Sequence, residues 1–422
     1  MDGAGWEYVA EEDEASAAES FYDSKVDYLP IDDSEYPYAG IPRIVIETLN
    51  HQKINDRETE IPAKLQVWGE KAPESEVMNL TIRGRGNTSW GAPQKSYKIE
   101  FINKQSMLGM PKDRDWALIA NYFDKTLMKN YLMYHLSAEL GAYYAPRCEF
   151  AELYLNREYL GVYLLTETIK IAKHRINYLK DENSYIVEFD TKPHINEQII
   201  YSSIIKDHSS GTAFKIHAPQ NATNDILNKI TEHIQNFETY LKTIRTNKQN
   251  DAARWIDINE YIKHYWVQEF SKNPDACFQT SIFFSWTTGN TIKMGPIWDF
   301  DLAFGGYNNE SLNLPQNWYL KDCYWNHFIF RDSIMNYSRM SYWKTNKIYF
   351  ENILLTIDSI GISLQSAAQN NFKKWPILQS TKLIYHNHSY STYNDATNDL
   401  RKWIKQRINW IDLAISTTTQ QD

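Results

Sequence analysis

The chain has 422 residues, 42% of them hydrophobic and 14% aromatic, and a net charge of −9 at pH 7; this is enough for two domains or one two-lobed unit with a substantial core. Residues 1–40 hold twelve Asp/Glu against one Lys, while the rest of the chain holds 43 Lys/Arg against 41 Asp/Glu, so the body is nearly neutral and offers no broad basic face for nucleic acid. No apolar run approaches the ~20 residues a membrane span needs, so no transmembrane segment is expected.

In chain order, residues 1–39 read as an acidic flexible leader, of the kind that follows a removed export signal. The expected location is therefore exported or at the cell surface, with the cytoplasm as the alternative. Strands are expected at Arg43–Thr48, Ile61–Trp68, Val77–Arg83 and Ser96–Phe101. A helix then starts with Asp124 as N-cap, carries a stripe through Leu127, Tyr131, His135 and Leu140, and stops at Gly141. Strands Phe150–Leu155 and Gly161–Thr166 follow, joined by the turn Asn156-Arg157-Glu158. Residues 40–170 thus read as one unit, an antiparallel sheet with a long helix inserted before its last hairpin.

The next block, 171–335, has short strands at Tyr185–Phe189 and Ala213–His217 and helices over Ile226–Thr243 and from Asp257 to Asn273-Pro274. A hairpin, Ile282–Trp286 with Ile292–Met294, leads into Trp298-Asp299-Phe300-Asp301. Residues 336–422 read as a helical extension ending in Leu400–Ile415, after a surface loop around 386–399. Three cysteines, Cys148, Cys277 and Cys323, form no CxxC or Cys/His cluster, which speaks against zinc and against a disulfide scaffold. Ser is nowhere framed as GxSxG, so a hydrolase nucleophile has no support.

Asp299 and Asp301 are the best pointers to chemistry. Ionised Asp in an apolar, aromatic run is costly unless a cation meets it. On an extended segment residues i and i+2 share a side, so the pair is expected to face one cation, and oxygen ligands suit Mg²⁺, Mn²⁺ or Ca²⁺. Arg83-Gly84-Arg85-Gly86-Asn87-Thr88-Ser89-Trp90 joins two strands. Its glycines would let amides point at an anion, but it matches neither a P-loop nor a full GxGxxG, and taken alone it fits a simple hairpin turn better. Lys95 and Lys98, three apart on a strand, would lie on opposite faces. Asp275 follows a helix-ending Pro, where an Asp is often a turn residue.

Several stretches, in this order, resemble the spore-coat protein H (CotH) kinase family, an atypical protein-kinase-like group. They are Arg83 to Trp90, Pro93 to Lys98, Leu118 to Asn130, Glu152 to Asn156, Gly161 to Glu167, Asn273-Pro274-Asp275 and Gly295 to Asp301. The resemblance implies an α+β, two-lobed kinase-like architecture, with an antiparallel-sheet N-lobe and a mainly helical C-lobe. It implies ATP and Mg²⁺ or Mn²⁺ as cofactors and a protein substrate bearing Ser or Thr, which the sequence does not name, just as it leaves the oligomeric state open. Asp275 would be catalytic. Asp299, Asp301 and Ser281 would serve the metal, and Arg85, Asn87, Lys95, Lys98 and Glu167 the nucleotide, with Lys95 the first choice of lysine. Kinases place Asn five residues after the catalytic Asp; here that position is Thr280. The helix lacks an obvious Glu partner for the lysine, Glu139 being the candidate. These departures leave a non-catalytic, pseudokinase-like surface or envelope scaffold as the alternative.

Overall fold

The computed structural model describes residues 15–177, 183–190, 198–205, 213–244, 251–381 and 388–418. In chain order, helix α1 (15–23) precedes strands β1 (Arg43–Thr48), β2 (Ile61–Trp68), β3 (Met78–Arg85), β4 (Ser96–Gln105) and β5 (Asp113–Ala120). Helix α2 (Lys129–Glu139) leads to β6 (Cys148–Leu155), β7 (Glu158–Glu167), β8 (Ser184–Asp190), β9 (Ile199–Tyr201) and β10 (Ala213–Ala218). Then come α3 (Asn224–Thr243), α4 (Ile258–Ser271), β11 (Ile282–Thr287) and β12 (Lys293–Met294). The remainder is helical: α5 (Glu310–Asn313), α6 (Tyr324–Ile329), α7 (Ser333–Ser363), α8 (Gln365–Lys374) and α9 (Tyr393–Thr418).

Two compact units result, each discontinuous in sequence, in contrast to the contiguous blocks that the sequence suggests. The first comprises residues 1–127, 148–168 and 361–379, and the second 128–147, 169–360 and 380–422.

The first unit is a closed barrel in the order β1-β2-β3-β4-β5-β7-β6, with β6 returning to β1 in parallel, Arg43 opposite Glu152. Alternating residues send Ile44, Ile46, Leu65, Leu80, Ile82, Ile99, Phe101, Trp116, Leu118, Leu153 and Leu165 into one buried interior. Asn156 (φ 50°) and Arg157 (φ 69°) form the two-residue turn between β6 and β7, both left-handed as a tight hairpin of this hand requires. On the outer face Leu29, Val45, Tyr154 and Tyr159 pack together. Leu29 N–H donates to Gln66 Oε1 (2.8 Å) and the Tyr22 hydroxyl to Leu80 O (3.0 Å). The acidic segment therefore docks on the barrel from at least Tyr22, in place of a flexible leader; its first fourteen residues lie outside the described residues. α8 packs on β7, where Asn371 Oδ1 accepts from Val162 N–H (2.9 Å).

The second unit contains its own antiparallel sheet, in the order β12-β11-β8-β10-β9. Every residue of the central β8 is buried. Phe189, Phe214, Phe278, Phe284 and Trp325 meet there with ring centroids 4.5–6.2 Å apart. α4 is capped by Asp257, whose Oδ1 accepts from Glu260 N–H (3.1 Å). Glu260 does not close a capping box; its carboxylate accepts instead from Tyr143 N–H and Lys263 Nζ.

These findings overturn the two-lobed kinase-like reading. The N-terminal sheet closes into a mixed barrel, α2 belongs to the second unit, and that unit is built on a five-stranded sheet. Alternation marks strands but not the long-range β1–β6 pairing that closes them. β5 was missed because Trp116-Ala117-Leu118-Ile119-Ala120 is continuously apolar and shows no alternation. α2 starts at Lys129, not Asp124, whose carboxylate accepts from Thr126 N–H and Oγ1 in a local turn. His135 is exposed beside Glu139 (3.3 Å), while Met133 and Tyr134 are buried. The expected loop near 386–399 is helical from Tyr393.

Candidate functional site

The acid-bearing loops of the second unit are held mainly by side chains, since neither lies in a regular ladder. α4 ends at Lys272, which is left-handed (φ 45°), and the chain turns through Asn273-Pro274 into Asp275. The buried Asn273 side chain accepts from Asp275 N–H (3.3 Å) and donates to Asp299 O and Gln268 Oε1 (3.0 Å each). Around Asp275, Gln279 N–H donates to Asp275 O (3.0 Å) and the Tyr319 hydroxyl to Pro274 O (2.7 Å). Burial raises the Tyr319 phenol pKa, and the charge of Asp275 raises it further. A disulfide joins Cys277, two residues past Asp275, to Cys323, against the expectation from an odd, sparse cysteine count.

Asp299 sits at φ 64°, so Trp298 to Asp301 is not extended and the same-side argument for the two carboxylates does not hold. Phe300 is buried, and its N–H donates to Asn130 Oδ1 (2.8 Å). Lys129 Nζ donates to Asp301 O (3.0 Å). Lys129 and Asn130, both buried at the start of α2, together with Asn273, thus grip three consecutive residues of the loop. Gly306 admits the Lys129 ammonium, since a Cβ there would lie 2.3 Å from Nζ. Asp275, Asp299 and Asp301 are half-buried, as is Ser281 (φ 57°), just ahead of β11. Among the described residues no group of three or more His, Cys, Asp or Glu is placed to hold a metal.

Nearby, the buried Lys272 ammonium donates to the carbonyls of Ser311 (2.6 Å), Leu314 and Gln316 (2.8 Å each). Burial, with the charge of Arg407, lowers its pKa to about 8.

The remaining expected residues belong to the barrel. Arg85 ends β3 opposite Ser96 of β4. Asn87 begins a short 3₁₀ turn, and its Oδ1 accepts from Arg57 (2.8 Å), which also donates to Gly86 O (2.9 Å). Lys95 Nζ curls back onto Trp90 O (2.7 Å) and Ala92 O (3.3 Å), 4.6 Å from the Trp90 ring centroid. Lys98 bridges Glu100 (3.2 Å) and Asp115 (3.1 Å). Glu167 is fully buried at the end of β7.

Sequence reasoning gave no role to Asn273, Lys129, Asn130 or Arg57. The available signal was a polar pair, Lys129-Asn130, set in a helix otherwise read for its apolar stripe, and an Asn ahead of a Pro-Asp turn.

No curated protein matches the chain. The family model for CotH kinase protein matches residues 82–411, a span that takes in the Asp275 turn, the Asp299-Phe300-Asp301 loop and the lysines of the β3–β4 region. This chain belongs to the CotH kinase family.

Proposed function

We propose that the chain transfers a phosphoryl group from ATP, in the presence of Mg²⁺ or Mn²⁺, to Ser or Thr hydroxyls of a protein substrate. The observation that carries this reading is the single Asn273 side chain holding both the Asp275 turn and Asp299. The donor set fits a hard cation: Asp299 and Asp301 offer oxygen alone, and Mg²⁺ commonly takes one or two carboxylates together with substrate phosphates. The neutral hydroxyl of Ser281 is the third group assigned to this role. The cation, when bound, neutralises charge on the phosphates. Asp275 orients the acceptor hydroxyl and takes its proton on a carboxylate oxygen. Left-handed Asp299 is costly for a residue with a side chain, and such geometry concentrates at functional loops.

Arg85, Asn87 and Lys95 are proposed nucleotide contacts. Lys95 is preferred to Lys98 because its present partners are two carbonyls and a ring, whereas Lys98 is committed to two carboxylates. The Cys277–Cys323 disulfide supports an exported or surface location, since such bonds persist in oxidising compartments.

Calorimetric titration of ATP with Mn²⁺ tests the reading. Asp299→Asn is expected to abolish metal-dependent ATP binding, while Asp275→Asn keeps binding and loses transfer. A parent protein that binds no ATP with either metal sinks the reading in favour of a non-catalytic surface scaffold, which Thr280 at the kinase Asn position and the engaged lysines support.

A further inference from the structure

Asn273 is where the two acid-bearing loops meet. Its side chain has one acceptor oxygen and two donor hydrogens, and its three bonds go to Asp275 N–H, Asp299 O and Gln268 Oε1. Its backbone is fixed as well: its N–H donates to Gln268 O (3.3 Å), and its carbonyl accepts from Ala276 N–H (3.1 Å). It is 1% exposed, so water does not compete for these bonds. On the far side of the Asp299 loop, Asn130 and Lys129 fix the next two residues from α2. The left-handed Asp299 backbone persists only where its surroundings over-determine it, and the Asn273 donor is one of those surroundings. An Asp at 273 offers no donor, and a Ser hydroxyl offers one on a shorter arm. The bridge therefore calls for an amide of this length.

We infer that Asn273 is a positioning residue that couples the Asp275 turn to the Asp299–Asp301 loop, so that the two acids are set as one unit. What this does for catalysis rests on the phosphoryl-transfer reading, whereas the coupling itself does not. The two acids belong to different loops, and a hydroxyl-orienting group works only at a fixed offset from the metal-side carboxylate.

The test uses the full chain carrying Asn273→Asp or Asn273→Ser. Both replacements are good caps and keep an acceptor for Asp275 N–H, but both lose the amide donors. Amide hydrogen exchange is followed in peptides covering 274–279 and 298–303, with melting temperature and Mn-ATP affinity measured on the same samples. Exchange is expected to rise on the order of ten-fold in both segments, including the one whose cap is retained, with little change in α3 peptides. Mn-ATP affinity falls by a similar factor, and raising Mn²⁺ restores transfer by Asn273→Ser, which a merely structural loss would not show. Faster exchange confined to 298–303, or no change in either segment, overturns the coupling. If Asn273→Asp unfolds globally, the milder Asn273→Ser decides. A parent protein that does not bind Mn-ATP ends the phosphoryl-transfer reading and leaves the exchange comparison to decide the coupling alone.

Discussion

In the barrel, strands β1 to β7 pair all round and enclose an apolar interior, and the Lys98 cation is matched by carboxylates of its own sheet. In the second unit the stretch from Lys272 to Phe304 contains five left-handed residues other than glycine: Lys272, Phe278, Ser281, Asp299 and Phe304. Asn273 holds the Asp299 carbonyl, Asn130 and Lys129 hold the two residues that follow it, and the buried pair Glu269–Arg407 fixes the neighbouring backbone from Pro315 to Leu320. A closed ladder satisfies its own backbone and needs little from side chains. An irregular loop that must present carboxylates needs buried polar groups to fix it, and each of those groups is costly if its partner is lost.

The largest effect should come from breaking that support. Arg407 is fully buried; it donates to Glu269 Oε1 (2.6 Å), Pro315 O (2.9 Å) and Asn317 O (2.8 Å), and Glu269 also accepts from the amides of Tyr319 and Leu320. Arg407→Met strands the Glu269 charge and should cost about 3–5 kcal/mol in urea unfolding. A cost under about 1 kcal/mol would put the weight of the second unit on its aromatic core instead.

Reduction comes next. The Cys277–Cys323 bridge closes 46 residues of sequence, beside Asp275. Its loss should destabilise the second unit by about 2–4 kcal/mol and leave the barrel, whose Cys148 is unbridged, unaffected. Hydrogen exchange with and without reductant reads both units at once. Equal loosening of barrel peptides would erase the contrast.

This contrast also marks what could be read from the sequence. β1 and β2 were legible to the residue because the β-branched run Ile44-Val45-Ile46 and the alternation of Ile61, Ala63, Leu65 and Val67 are local signals. The Asp299 and Asp275 loops were legible through their family resemblance. Barrel closure was not, since β1 and β6 are about a hundred residues apart and their pairing leaves no local trace. Nor was the left-handed turn at Asp299: a non-glycine residue there is held by Asn273, Asn130 and Lys129, all distant in sequence. The disulfide failed for a similar reason, because a count of three says nothing about which two sulfurs the fold brings together.

Acid should sharpen the comparison with a smaller effect. His233 stacks on Trp286 at 4.1 Å, and burial lowers its pKa to about 4; loss of hydration lowers half-buried His264 to about 3. Both belong to the second unit, while the barrel's one histidine, His51, is about half-exposed. The unfolded chain takes up these protons near pH 6.5, before the folded one does. The stability they contribute is therefore complete above about 6.5 and is lost as pH falls toward 4. Partial exposure of His233 limits its share to about 1–2 kcal/mol. His233→Phe should flatten the decline in melting temperature between pH 6.5 and 4. An unchanged slope would assign the acid sensitivity to other groups.

The smallest effect is expected at Lys98. Its ammonium is partly exposed, and its partners are not stranded by its loss: Glu100 keeps Arg114 at 3.0 Å, and Asp115 stays at the barrel surface. Lys98→Met should therefore change barrel stability by less than about 1 kcal/mol, against several for Arg407→Met. The same variant separates the two lysines. Mn-ATP affinity unchanged in Lys98→Met but about ten-fold weaker in Lys95→Met fits Lys95 as the nucleotide contact, released from the Trp90 and Ala92 carbonyls. The reverse result would mean that Lys98 leaves two carboxylates for the nucleotide, and the barrel's ion pairs would then be a functional reserve, not a settled surface.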